Sequence, residues 1–217
     1  MKHKNINFHQ LFFYSIVAAA TFLTAGFGRS DKKGLLAYWS FDEGKGSQIQ
    51  DLQTRRVDSI HYIFNKARFK PNSDPLWRSN GISGGALLFD GYSTWMERPA
   101  ADFQVPSKAL TISVWVAPRA FEEGAEGKLS AIVNQHNKVK KEGFILGMYR
   151  HGRLSFQVGT GSSWLELWEE SNLLQKNAWT HVVATFDARS GKAVLYVNGK
   201  PAVQKTIPRH PPRSLDE

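Results

Sequence analysis

The chain has 217 residues, 41% of them hydrophobic and 12% aromatic, which is enough apolar material for one packed domain and excludes a wholly disordered chain. It contains no cysteine, so disulfides, thiolate catalysis and cysteine-ligated zinc are excluded. The formal net charge is +9, but the cations are dispersed from Lys2 to Arg213, and the densest run, Lys138-Val139-Lys140-Lys141-Glu142, reads as a solvated turn and not as a nucleic-acid patch.

The first segment reads as an address. Lys2, His3 and Lys4 precede an apolar stretch over residues 11–23, and the small residues Ala25, Gly26 and Gly28 follow. This is the pattern of a secretory signal peptide over residues 1–28, cleaved near Gly26. The apolar stretch is shorter than the ~20 residues a spanning helix needs, so secretion without stable membrane insertion is expected.

The remainder reads as short strands separated by turn residues. Residues 35–41 (LLAYWSF) predict a strand, stopped by Asp42-Glu43-Gly44-Lys45-Gly46. Residues 60–65 are a weaker candidate. Residues 86–89 (ALLF) end at Asp90-Gly91, with 94–97 expected as their partner. Residues 110–116 (LTISVWV) are the strongest strand signal, β-branched and aromatic, with Pro118 as a stop. Residues 129–134, 143–149 and 154–158 follow at the spacing of a meander, with Arg150-His151-Gly152 as a turn. Residues 164–168 and 180–187 alternate. Residues 193–197 turn at Asn198-Gly199 into 202–206, a two-residue hairpin signal, because both turn positions tolerate positive φ. Only residues 169–176 suggest a turn of helix. Many short strands between Gly, Asn and Asp turns predict an all-β antiparallel two-sheet sandwich over residues 34–207. The proline-bearing basic segment 208–217 cannot be a central strand and is expected to be a tail or the stub of a longer chain.

Five spaced segments carry a resemblance: Tyr38-Trp39-Ser40-Phe41-Asp42-Glu43-Gly44, Gly84-Gly85-Ala86-Leu87-Leu88-Phe89-Asp90-Gly91, Leu110 to Val116, Trp179 to Asp187, and Leu195-Tyr196-Val197-Asn198-Gly199. Together they resemble laminin-G-like domains of the concanavalin A-like lectin and glucanase type. The resemblance implies a jelly roll whose curved face takes carbohydrate or protein ligands, and core positions for Trp39, Trp115 and Trp179. Family members continue past the Asn-Gly hairpin with one or two more strands, so the domain is expected to lack its last strands here. Asp58 to Tyr62, Asp74 to Arg78, Gly91 to Trp95 and Ala131 to Asn137 resemble, more narrowly, the modules attached to secreted bacterial glycoside hydrolases of the levanase and invertase type. That implies a fructan or other polysaccharide as partner and a covalently linked hydrolase domain.

No catalytic machinery emerges. Glu166-Leu167-Trp168-Glu169-Glu170 lacks the spacing and central acid of a Glu-x-Asp-x-x-Glu strand, and cleavage needs a carboxylate pair. Asn72-Ser73-Asp74-Pro75 is similar to an invertase nucleophile motif, but the extra Ser73 and the missing flanking Gly make it a loop. Sugar binding asks for aromatic platforms beside planar polar groups. Candidate platforms are Trp77, Trp95, Tyr149, Trp164 and Trp168, and candidate polar partners are Arg98, Asn134, Gln135, His136, Arg150, His151 and Glu166. Asn134-Gln135-His136-Asn137 and Tyr149-Arg150-His151 are expected to meet at adjacent strand ends. Trp164 and Trp168, four apart, share one face, which is either core or ligand surface. His136 and His151 also fit as ordinary turn residues. The resemblance implies no required cofactor beyond a possible Ca2+, for which Asp42, Glu43 and Asp90 are the candidate oxygen ligands. The expected function is a non-catalytic carbohydrate-binding module; the alternative is a structural or protein-interaction domain packing against a catalytic one.

Overall fold

The computed structural model describes residues 34–62, 76–90, 94–99, 102–103, 108–121, 129–170 and 174–207. The expected signal peptide, the Asn72-Ser73-Asp74-Pro75 loop and the segment 208–217 lie outside the described residues. The described residues from Leu36 to Ile207 fall in one compact unit, all-β and antiparallel. In chain order the strands are β1 (Gln48–Gln50), β2 (Val57–Tyr62), β3 (Leu76–Arg78), β4 (Ala86–Leu88), β5 (Thr94–Glu97), β6 (Ala109–Val116), β7 (Ser130–Asn137), β8 (Glu142–Met148), β9 (Leu154–Gly159), β10 (Trp164–Trp168), β11 (Thr180–Asp187), β12 (Lys192–Val197) and β13 (Lys200–Thr206).

Two four-stranded sheets, ordered β10-β9-β8-β7 and β13-β12-β11-β6, make the sandwich; β1-β2-β5 and β3-β4 form smaller sheets. Alternation explains the layering. Leu110, Ile112, Val114 and Val116 of β6 pair with Phe186, Ala184, Val182 and Thr180 of β11, and antiparallel partners share a face. The facing sheet contributes Phe144, Leu146, Leu154, Phe156, Val158, Leu165 and Leu167, and the two sets merge in one buried cluster. Phe156 and Leu146 are fully buried at its centre, so Phe156→Ala would cost about 3–5 kcal/mol. The β12–β13 hairpin turns on Asn198 and Gly199 with φ of 49° and 77°. Asn198 Oδ1 also accepts the His181 amide at 3.0 Å, which ties the turn to β11.

Three expectations are corrected. Residues 35–41 form no strand, because the Tyr38 amide donates to the Asp51 carboxylate (3.0 Å) where a ladder partner would stand, and Phe41 adopts a φ of 61° that breaks extension. Thr94–Glu97 pairs with β2, and Ala86–Leu88 pairs with β3, so the two are not partners. Trp115 is not core: it lies on the outer face of β6, 44% exposed and stacked on His181 (4.9 Å, 22°), because Leu110, Ile112, Val114 and Val116 occupy the inward positions. Of the expected helical turn over 169–176, residues 171–173 lie outside the described residues, and Lys176 and Asn177 form a turn.

The small sheet is held to its flanking segment by an ionic knot. Arg98 donates from Nε to Asp58 Oδ1 (2.9 Å) and from Nη2 to Asp58 Oδ2 (2.5 Å) and Asp51 Oδ2 (3.0 Å), and all three side chains are buried. Trp39 Nε1 donates to Asp58 Oδ2 (2.7 Å), and the guanidinium lies 5.1 Å from the Trp39 ring centroid. Burial alone would push the Asp51 carboxyl up. The Thr54 hydroxyl, the Tyr38 and Gln53 amides and Arg98 outweigh that and hold it well below the ordinary carboxylate range. Arg98, a candidate sugar contact in the sequence, is therefore a structural cation.

Candidate functional site

The outer face of β7–β10 is sorted by register. Asn134 pairs with Ile145, Ile145 with Gln157, and Gln157 with Glu166, so these four share one face. His136, two residues from Asn134, shares it, as do Trp164 and Trp168 on either side of Glu166. Leu165 and Leu167 turn the other way, into the core. The alternation of β10 thus sets a stripe of indole, carboxylate and indole facing outward, with the two indoles ~13 Å apart along the strand.

Tyr149, in the segment that follows β8, reaches back over this face. Its hydroxyl donates to Glu166 Oε1 at 2.5 Å. The same oxygen accepts Gln157 Nε2 (2.8 Å) and Ser155 Oγ (3.3 Å), and Trp164 Nε1 donates to Gln157 Oε1 (3.0 Å). Gln157 and Ser155 are buried under this cover, with Gln157 1% exposed. Their polar atoms are spent orienting Glu166 and Trp164. Glu166 Oε1 takes all three bonds, and among the described residues none reaches its Oε2. One carboxylate oxygen is thereby fixed as an anchor and the other is left open as an acceptor. Burial, followed by the hydrogen bond and charge of Glu166, raises the Tyr149 hydroxyl from 10.0 to about 12, so it stays a donor at neutral pH.

The rim is basic and aromatic. His136 lies 6.2 Å from Trp164, centroid to centroid, tilted by 55°, and Lys138 Nζ lies 5.6 Å from the Trp164 centroid. Trp168 is 47% exposed at the other end of the stripe. Among the described residues Glu166 is the only carboxylate on this face; Glu142 alternates to the opposite one, two positions from core-facing Phe144. The arrangement can present an acceptor oxygen, an amide-braced indole and a second exposed indole to a hydroxylated ring. It holds no second acid spaced for glycoside cleavage.

The sequence-based candidates separate into groups. Tyr149, Trp164, Glu166, Trp168, Asn134 and His136 share this face. Gln135 pairs with Phe144 and sits on the opposite face, donating to the Phe103 carbonyl (3.1 Å), with its own Oε1 buried and unbonded. Segments 134–137 and 149–151 do not meet at one end. Asn137 pairs with Glu142 beside the hairpin turn, whereas Met148 pairs with Ser130 at the far end. Only the length of the Tyr149 side chain brings it in. Arg150 and His151 belong to a 3-10 turn in which His151 has a φ of 64°. Trp95 lies on another sheet, and Trp77 Nε1 is engaged by the Gly46 carbonyl (2.9 Å).

Gln157 and Ser155 are not among the candidates, although the sequence carries their signal: polar residues interleaved with Leu154, Phe156 and Val158 must face away from the core. One oxygen of each candidate calcium ligand accepts a backbone amide, and Glu43 Oε2 is buried without a hydrogen-bond partner. Asp42 Oδ1 accepts Gly85 N–H (2.6 Å), Glu43 Oε1 accepts Gln50 N–H (2.9 Å) and Asp90 Oδ1 accepts Thr94 N–H (3.0 Å). Among the described residues no group of three His, Asp or Glu side chains is placed to hold a metal ion.

A family model described as the concanavalin A-like lectin/glucanases superfamily, of laminin-G type, matches residues 90–216, more than half of the chain. The chain belongs to that superfamily. The match spans β5 to β13 and so includes the whole Tyr149–Glu166 face. Domain 4 of AbnA, an extracellular GH43 arabinanase from Geobacillus stearothermophilus solved in complex with arabinotriose, superposes with a TM-score of 0.53 at 19% identity, over 79% of this chain and 74% of that one. Domains LG4-5 of the mouse laminin α1 chain match at a TM-score of 0.40 and 17% identity, over 50% of this chain and 26% of that one. The CBM40 of a Ruminococcus gnavus sialidase, bound to α2,3 sialyllactose, matches at 0.36 and 14%, over 46% and 54%. The chain thus spans about a quarter of the laminin chain and about half of the sialidase module. No curated protein matches. Among the described residues no helix is long and apolar enough to cross a membrane.

Proposed function

We propose that the chain is a non-catalytic glycan-binding module, secreted by way of the signal peptide read in residues 1–28, and that the outer face of β7–β10 is its sugar site. The observation that carries this is Glu166. Three donors fix one of its oxygens while the other is open between two outward indoles. A lone carboxylate so placed accepts sugar hydroxyls, and the indoles take the apolar faces of the rings. Such a module tethers a linked glycoside hydrolase to its substrate by raising local concentration, which needs no chemistry of its own.

The sugar class proposed is a furanose polymer. The narrower sequence resemblance is to modules of fructan-cleaving enzymes, and the arabinanase domain of similar fold was solved with arabinotriose. Calorimetry of the 217-residue chain against levan, inulin, arabinan and arabinotriose tests this. Binding to a furanose glycan that Trp164→Ala abolishes, in a variant that still melts cooperatively, is the expected result. No heat with any of the four from a folded protein would sink it.

A second reading rests on a specific observation. Leu36, Tyr38, Ile82 and Phe89 are each more than a third exposed outside the sandwich sheets. Such residues fit contact with a neighbouring domain of a longer protein. The two readings are compatible, because they use different surfaces.

A further inference from the structure

The outward face of β1-β2-β5 repeats the ingredients of a sugar platform away from the Tyr149–Glu166 face. Trp95 and His61 are direct cross-strand partners, and their rings stack at 5.1 Å and 14°. Among the described residues β5 is the edge of its sheet, with His61 on the inner strand. The imidazole therefore backs one face of the indole and leaves the other turned toward the sheet edge, where Trp95 is 36% exposed. Two positions along, the register lines up Glu97, Ser59 and Gln48, all exposed and on the same face. His61 Nε2 lies 3.5 Å from Glu97 Oε1, so the polar row also steadies the backing ring. A carboxylate, a hydroxyl and a primary amide thus stand ~7 Å from the indole row. Gln48 further lines an open cleft of about 620 Å³ shared with Glu43, Lys45, Gly46 and Ser47.

We infer that this face is a second glycan-contact site, separate from the Tyr149–Glu166 face, with Trp95 as platform and Glu97 and Gln48 as hydroxyl partners. The apolar content is too small for a protein partner. Among the described residues only Trp95 and Val57 are large hydrophobics more than a third exposed on this sheet, whereas a stable protein interface buries about 800 Å² per side. One backed indole beside planar hydrogen-bonding groups suits a single sugar ring. Two such sites let one polysaccharide chain engage the module twice, which multiplies affinity for polymers over short oligosaccharides.

The inference takes its sugar class from the function proposed above, and the test keeps the two apart. Wild type, Trp95→Ala, Glu97→Ala and Trp164→Ala are titrated with arabinotriose and with levan and arabinan polymers, after melting curves show each variant folded; Glu97 is exposed and its loss should not unfold the sheet. The expected result is that Trp95→Ala and Glu97→Ala each weaken polymer binding by about tenfold and lower the number of trisaccharides bound per chain from two to one. Unchanged polymer affinity and stoichiometry in both variants, with binding still lost on Trp164→Ala, would overturn this site and leave the first standing. Loss on Trp95→Ala with no effect of Trp164→Ala would uphold it and overturn the first. No binding by wild type overturns both, and self-association of wild type that Trp95→Ala abolishes would assign the face to a second copy of the chain.

Discussion

Two clusters in this molecule are built from nearly the same parts, a carboxylate, an indole N–H and a set of hydrogen-bond donors, and differ in what they leave open. In the Asp51–Asp58–Arg98–Trp39 knot every carboxylate oxygen accepts at least one bond, and the guanidinium covers the indole. In the Glu166–Tyr149–Gln157–Trp164 cluster one oxygen is saturated and the other is open. The difference is the count of donors against acceptors. A cation that balances two buried acids leaves nothing for a ligand, whereas three neutral donors converging on one oxygen orient the group without consuming it. The first arrangement serves stability, and the second is the one proposed for recognition.

That contrast breaks most visibly at Arg98. Arg98→Met leaves Asp51 and Asp58 buried without their cation, which costs about 3–5 kcal/mol, a fall in melting temperature on the order of 10 °C. Glycan affinity at neutral pH should be unchanged in the fraction that remains folded. A thermal melt with calorimetry on the same sample checks both halves.

The knot also sets an acid limit. Asp51 titrates lower in the folded chain than in the unfolded one. Its contribution is therefore fully present above the unfolded carboxylate value, ~3.9, and is lost as pH falls below that toward the folded value. Melting temperature should be flat near neutrality and drop below pH ~4. Asp51→Asn should start lower and show a shallower drop in that acid window. An equally steep drop in the variant would mean that other carboxylates carry the acid response.

The two clusters differ in how far the sequence foretells them. β6 to β13 are legible because alternation and the Asn198-Gly199 turn are local signals, and the core-facing set follows from them. The outward stripe of Trp164, Glu166 and Trp168 follows from the same alternation. The knot is not legible, because Tyr38, Asp51, Asp58 and Arg98 are brought together across distant parts of the chain, and their contacts remove 35–41 from the strands. The resemblance puts Trp115 in the core, although its own strand pattern, with Ile112 and Val114 inward, points it outward. The expected meeting of 134–137 with 149–151 neglected hairpin geometry: residues flanking the turn are 137 and 142, so Tyr149 begins at the opposite end and arrives only through its ring.

Within the recognition cluster, Glu166→Gln sharpens the donor count. The side-chain oxygen that replaces Oε1 still takes donors, but the open position becomes an amide N–H that donates. Affinity for the glycan should fall about tenfold, ~1.4 kcal/mol, while the melting temperature moves by no more than a few degrees. A variant that binds as wild type does would show that the open oxygen contacts no ligand.

The smallest effect is expected at Tyr149, where it separates the anchor from the platform. Tyr149→Phe keeps the ring over Gln157 and removes one of three donors to Glu166 Oε1, a loss of about 1 kcal/mol. Because the folded hydroxyl titrates at about 12 against an ordinary 10.0, its contribution is complete below the unfolded value and declines as pH rises from ~10 toward the folded value. The stability gap between wild type and Tyr149→Phe should therefore be constant through neutral pH and narrow only in strong alkali. Ultraviolet titration of tyrosinate gives an independent readout: the variant should lack one late-ionising phenol, and Glu166→Gln should bring that phenol down. If the late step survived in Tyr149→Phe, the hydroxyl held back by burial and by Glu166 would belong to another tyrosine, and the anchor would have to be sought in Gln157 and Ser155.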